Sequence, residues 1–208
     1  MIPRPPIGPL LQGALPKQLA TGLDTFHRAA NHLLVVAHRY EMYQALGRSA
    51  DFVRRIHGTS CAPGLNTLRG ALLASLVVSV TALFDQSEEA TSLTRALNSL
   101  LIPGHAEMIS AHHGKFSRPF DSCYALGQLK RLRSRLSRQP FQVALRRLTD
   151  LRRRDLAHLD RQPSFPAGRA LTGDLDLVYA TAVNITVKGY RFLGGDIKSS
   201  DIRAEARV

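Results

Sequence analysis

Apolar side chains recur every three or four residues along most of this sequence, which is the period of a helix with one buried face. The first long run, KQLATGLDTFHRAANHLLVVAHRYEMYQAL, sets Leu19, Leu23, Phe26, Ala30, Leu33, Leu34 and Ala37 on one stripe. It predicts a helix from Pro16 to a stop at Gly47, because glycine readily takes the left-handed turn that ends a helix. A shorter helix is expected over about 49–57. Cys61-Ala62-Pro63-Gly64 reads as a breaker, after which Asn66 caps a helix running to about Phe84. Asp85 to Glu89 is a polar turn, and Thr91 or Ser92 opens a short helix that ends near Leu101, before Pro103-Gly104.

The stretch 102–117 has little periodicity and reads as a loop or a short irregular helix. Pro119 suits the first position of a helix, which runs to about Arg138 and stops at Pro140. A further helix runs from Phe141 to about Leu159, followed by the loop DRQPSFPAGRALTG. Asp174 then caps the last long segment, DLVYATAVNITVKGYRFL, which Gly194-Gly195 terminate. Its β-branched residues leave a strand open, but its length favours a helix. Strands do not alternate with helices, and no internal repeat is visible. The expected fold is all-α, an antiparallel helical bundle of five to six main helices. A proline-rich arm would cover 1–16, the bundle 17–195 and a polar tail 196–208.

The chain has 208 residues, a one-domain length, and its 44% hydrophobic content can bury a core without disulfide or metal staples. Charge changes the picture more. There are 28 Lys+Arg against 16 Asp+Glu, a net +12, and most of the positive charge is arginine. Such a surface favours nucleic acid or an acidic partner, the alternative being a basic soluble protein whose charge is incidental. Cys61 and Cys123 form no CxxC motif, which excludes a zinc ribbon and a disulfide scaffold and suits a reducing cytoplasm. Pro3, Pro5, Pro6, Pro9 and Pro16 break any secretory signal at the start. The most apolar stretch, ALLASLVVSVTALF over 71–84, falls short of the about 20 residues that span a bilayer. It reads as a buried core helix, and no membrane partner is expected. No GxGxxG, phosphate-binding P-loop or GxSxG motif is present.

The segment LRRLTDLRRRDLAHLD, residues 145–160, carries the candidate chemistry. At about 100° per residue, Ala144, Leu145, Leu148, Leu151, Leu156 and Leu159 share one arc, with Arg146, Arg153 and Arg154 outside it. Arg152 projects into the middle of the apolar arc, Asp155 lies inside it, and His158 lies at its edge. The three form a slanting i, i+3, i+6 row in which Asp155 reaches both neighbours. A buried charge without a partner is costly, so the row implies a mutually satisfied polar set. One reading is a core ion pair that fixes helix packing. The other is an acid–base site: imidazole exchanges a proton near neutral pH, a guanidinium clamps a phosphate that gains charge, and Asp155 orients the ring. With a basic surface, that set points to cleavage of a phosphodiester without a metal or cofactor.

Leu151-Arg152-Arg153-Arg154-Asp155-Leu156-Ala157-His158-Leu159-Asp160 resembles the Arg-x(4–6)-His signature of HEPN domains, in particular the abortive-infection AbiU-type branch with its pattern L-R-N-x-x-x-A-H-x-D. Upstream, Thr81-Ala82-Leu83-Phe84-Asp85 followed by Thr91-Ser92-Leu93 is similar to the apolar–Phe–Asp…Ser-Leu stretch of that branch. The resemblance covers about residues 20–190. It implies an antiparallel helical bundle acting as a homodimer, a metal-independent endoribonuclease with two Arg…His motifs meeting across a groove. The histidine would activate the ribose 2′-OH or protonate the 5′-leaving oxygen, and the arginine would hold the scissile phosphate. The products would be a 2′,3′-cyclic phosphate and a 5′-OH. Many members are toxins or phage-defence proteins encoded beside a nucleotidyltransferase-like antitoxin.

Carried over by position, His158 matches the motif histidine and Asp160 the trailing acid. Arg152 matches the motif arginine with five residues between; Arg153 would match with four, but projects outward. Arg153 also stands where the family usually has Asn, Asp or His. That keeps a second reading open, a non-catalytic HEPN-like module that binds RNA or a protein partner.

The remaining candidates are weaker. Lys130, Arg131, Arg133 and Arg135 form a basic run on one helix, read as a solvated face or a grip on RNA backbone. No aromatic residues interleave it, so base stacking there is not expected. His105, His112 and His113 have no acidic partner at helical spacing, and no metal site is assigned to them. His27, His32 and His38 read as surface or packing residues of the first helix, and Cys61 and Cys123 as small core residues or incidental thiols.

Overall fold

The apolar stripe of the first run becomes the inner face of a 32-residue helix, α1 (Lys17–Arg48), with Leu19, Phe26, Ala30, Leu33 and Ala37 all buried. The computed structural model describes residues 16–48, 54–87, 90–113, 119–154, 169–195 and 197–205. After α1 come α2 (Ala62–Ala82), α3 (Leu93–Leu100), α4 (Pro103–His113), α5 (Pro119–Leu136), α6 (Phe141–Arg154), α7 (Arg169–Phe192) and α8 (Ser199–Glu205). The described residues contain no strand. The protein is all-α, and the strand alternative for the last long segment falls away.

The core is organised around α7, which packs against α1, α2, α3, α5, α6 and α8. Its β-branched residues suit that central place, since Val178, Val183, Ile185 and Val187 are all buried. The pairing with α1 is antiparallel: Tyr40 stacks on Tyr179 with ring centroids 4.1 Å apart, and Phe26 meets Tyr190 at 5.5 Å. The Tyr40 hydroxyl donates to the Asp176 carboxylate. Asn31 Nδ2 lies 3.1 Å from His27 Nε2, so that nitrogen accepts and His27 Nδ1 carries the proton towards the Tyr190 hydroxyl 3.3 Å away. Burial pushes the Tyr190 phenol up to about 12. Gly189 makes the approach of α1 to α7 possible, because a Cβ there would lie 2.4 Å from Phe26 Cζ and 2.6 Å from Cε2.

Several boundaries differ from the predicted ones. α2 starts at Ala62, through the supposed breaker, since Pro63 sits in the first turn where its missing N–H costs no helical bond. Asn66 is therefore inside the helix rather than its cap. The stretch read as a loop or irregular helix holds α4, with His105, Ala106 and Ile109 turned into the core. α7 begins at Arg169, ahead of the predicted cap Asp174, whose carboxylate instead lies 3.6 Å from Arg147 on α6. The polar tail contains α8, docked on α1 and α7 through buried Ile197 and Ile202. Its first turn closes as Lys198 N–H donates to Asp201 at 2.8 Å. At the end of α7, the predicted stop holds: Gly194 takes φ +81°, and Gly195 N–H bonds Tyr190 C=O at 2.8 Å.

The apolar stretch expected to be a buried core helix has two faces. Leu73, Leu76, Val77 and Val80 of α2 are in the core, while Leu68 and Val78 are exposed. Starting at Ala62, α2 reaches 21 residues, and among the described residues it is long and apolar enough to cross a membrane by length and composition, with 33% of its apolar window buried in the bundle. The arm (residues 1–15), residues 49–53 of the short second helix and the predicted continuation of α6 to Leu159 lie outside the described residues.

Candidate functional site

The site starts from a turn. At the end of α2, Phe84 N–H bonds Thr81 C=O at 3.0 Å and Asp85 N–H bonds Ala82 C=O at 3.3 Å. Leu93 N–H reaches back to Leu83 C=O at 2.8 Å, tying the start of α3 to this turn. Ser92 then caps α3 in an extended conformation, its hydroxyl accepting from Arg95 N–H at 3.2 Å. The Phe84 ring meets Phe141, the first residue of α6, edge-on at 5.0 Å. That contact brings α6 alongside the turn.

A cleft of about 480 Å³ opens between them. Thr81, Phe84, Asp85 and Ser87 line one wall, and Leu145, Thr149, Arg152 and Arg153 of α6 line the other. Asp85 accepts a hydrogen bond from Ser87 N–H at 3.0 Å. That bond first, then the Ser87 side chain and the field of Arg152, hold its carboxyl below the usual carboxylate value against the opposing effect of partial burial. At neutral pH the cleft thus holds a carboxylate opposite a guanidinium.

The seam predicted for α6 is present: Phe141, Ala144, Leu148 and Leu151 are buried, and Arg146 and Arg153 are exposed. Arg152 departs from its predicted place within that seam. It is partly exposed at the cleft wall, close enough for its field to act on Asp85, an arrangement that avoids the desolvation penalty of a core charge. Asp155, His158 and Asp160, with Leu156 and Leu159, lie outside the described residues.

A second hollow, of about 490 Å³, adjoins the first. The two share Phe84, Gln86 and Leu145 as common walls. Its floor is apolar, from Phe84, Leu101, Leu136 and Phe141. Lys130, Arg133 and Ser134 of α5, with Ser137 in the turn after it, form one side, and Thr94 and Asn98 of α3 the other. Among the described residues that line it there is no carboxylate. The basic run is thereby divided. Lys130 and Arg133 face the hollow, while Arg131 and Arg135 are exposed and line neither space. The i, i+3, i+4, i+7 spacing of Lys130, Arg133, Ser134 and Ser137 is a sequence signal that identifies this face. Thr94, Asn98 and Gln86 have no such signal, because they enter from a different element and a turn.

The other candidates are placed as follows. The His105 ring is buried with Nδ1 2.9 Å from Ser99 C=O, a packing role. The side chains of His112 and His113 lie outside the described ones. Among the described residues no three His, Cys, Asp or Glu side chains cluster as a metal site would require. Cys61 and Cys123 are exposed free thiols rather than small core residues, Cys61 because it precedes α2 and Cys123 because its position on α5 faces outward. His38 is exposed and His32 half-buried. Comparison with family models, with curated proteins and with solved structures gives no match.

Proposed function

We propose that the protein is a metal-independent endoribonuclease of the HEPN toxin or phage-defence type, working as a cytoplasmic homodimer without a cofactor. One observation carries the reading. The two separate segments on which the resemblance rests, the Phe84-Asp85 turn and the arginine of the LRRRDLAHLD motif, line a single cleft. The net charge of +12 and the adjoining cation-lined hollow support RNA as the ligand.

In this reading Arg152 holds the scissile phosphate and His158 takes the proton of the ribose 2′-OH. The 2′-oxygen then bonds to phosphorus, the P–O5′ bond breaks, and a proton returns to the 5′-oxygen. Asp155 orients the imidazole. Arg153, at the rim of the cleft, and Asp160 are supporting candidates. A nucleotidyltransferase-like antitoxin is the expected protein partner. Replacing His158 by alanine abolishes RNA cleavage in the presence of EDTA while the helical circular-dichroism spectrum is retained. Cleavage by that variant at the parent rate would remove the assignment.

The second reading, a non-catalytic module, draws on two features of the cleft. Arg153 replaces the usual small polar neighbour, and the Asp85 carboxylate offsets part of the positive charge of Arg152. It predicts salt-sensitive RNA binding without the appearance of 2′,3′-cyclic phosphate ends.

A further inference from the structure

We infer that the hollow between α3 and α5 is a subsite for one nucleotide of single-stranded RNA, with the base on its apolar floor and a phosphate on Lys130 and Arg133. Its position next to a scissile phosphate rests on the ribonuclease reading above; the chemistry of its ligand does not. At about 490 Å³ it lies within the roughly 300–1,000 Å³ range of small-ligand sites.

Its parts match one ligand class. The floor of Phe84, Leu101, Leu136 and Phe141 suits a flat, weakly polar ring. Asn98 and Gln86 carry both donors and acceptors, the groups that distinguish one base edge from another. Lys130 and Arg133, one turn apart on α5, favour an anion, and the Ser134 hydroxyl adds a neutral donor beside them, while the Ser137 hydroxyl donates to Ser134 C=O at 3.0 Å. A metal cation would find no carboxylate among the described lining residues, and a wholly apolar ligand would leave two cations unused. A nucleotide uses both the floor and the rim. Because the hollow and the Arg152 cleft share Phe84, Gln86 and Leu145 as lining residues, a strand with one nucleotide seated here would run past these three side chains to bring its neighbouring phosphate to Arg152. Asn98, Thr94 and Gln86 then determine which base is accepted beside the cut.

The test titrates the full chain with each of the four nucleoside 5′-monophosphates, the matching nucleosides and inorganic phosphate, followed by calorimetry and by NMR. At least one nucleotide is expected to bind at least tenfold more tightly than phosphate or its own nucleoside. The Lys130→Ala/Arg133→Ala double variant, altered only at exposed side chains, should weaken that binding tenfold or more. Asn98→Ala should change the order of preference among the bases, and Arg28→Ala, outside both hollows, should leave it unchanged. Absence of nucleotide binding, phosphate binding as tightly as nucleotide, or a double variant that binds like the parent would each overturn the subsite. RNA cleavage is followed in parallel. Cleavage without nucleotide binding removes the subsite and leaves the ribonuclease; nucleotide binding without cleavage does the opposite.

Discussion

His32 illustrates what a single position contributes. It is half-buried on α1, and burial first, then the nearby Arg39 guanidinium, hold its imidazole below the ordinary 6.5. The unfolded chain takes up a proton near 6.5, and the folded chain only at lower pH. The stabilisation from a neutral His32 is therefore complete above 6.5 and is lost as pH falls through 6.5 towards the folded value. Urea unfolding measured between about pH 7.5 and 5 should show stability falling with pH, and His32→Gln should make that fall shallower. An identical slope in the variant would show that His32 does not contribute to it. At this scale the sequence was partly legible. The basic run, read from sequence as a single face, divides into Lys130 and Arg133 at the hollow and Arg131 and Arg135 away from it, a split that follows from helical spacing. The position of Arg152 did not, because projection locates an angle on the helix and not the depth of what packs there.

Elements were legible where their periodicity was strong. α1 and α6 follow the apolar stripes that predict them, α3 starts from the predicted cap Ser92, and Gly194 ends α7 through its positive φ. α4 and the first turn of α7 were missed because their local pattern is weak and tertiary burial decides the outcome. Helix contact also depends on single small residues. Gly189 of α7 lies against the outer edge of the Phe26 ring of α1, so Gly189→Ala overpacks that contact. The expected cost is about 1–3 kcal/mol, read as a lower urea midpoint with an unchanged m-value. Pairing Gly189→Ala with Phe26→Leu should recover part of the loss, since the shorter side chain makes room for the new methyl. An unchanged midpoint in the single variant would mean that the two helices are not packed this closely.

At the scale of the whole molecule, a net charge of +12 makes RNA binding an electrolyte effect. If Lys130, Arg133 and Arg152 each neutralise one phosphate, the logarithm of the association constant should fall with the logarithm of salt concentration at a slope of about −2, from about 0.7 per phosphate on single strands. Fluorescence anisotropy from about 50 to 200 mM salt measures it, and a slope near zero would remove these contacts. The sequence alone determined that the chain is all-helical, which stripes face inward and that the surface is basic, since spacing and composition are local properties. The tertiary structure decided which distant segments meet. It set the Phe84-Asp85 turn against Arg152, placed their cleft and the hollow under Lys130 and Arg133 about the shared residues Phe84, Gln86 and Leu145, and turned α4 and α8 into parts of the core. Those juxtapositions depend on how α7 is surrounded by its neighbours, and helical spacing within one segment carries no information about which other segment will fill the space opposite.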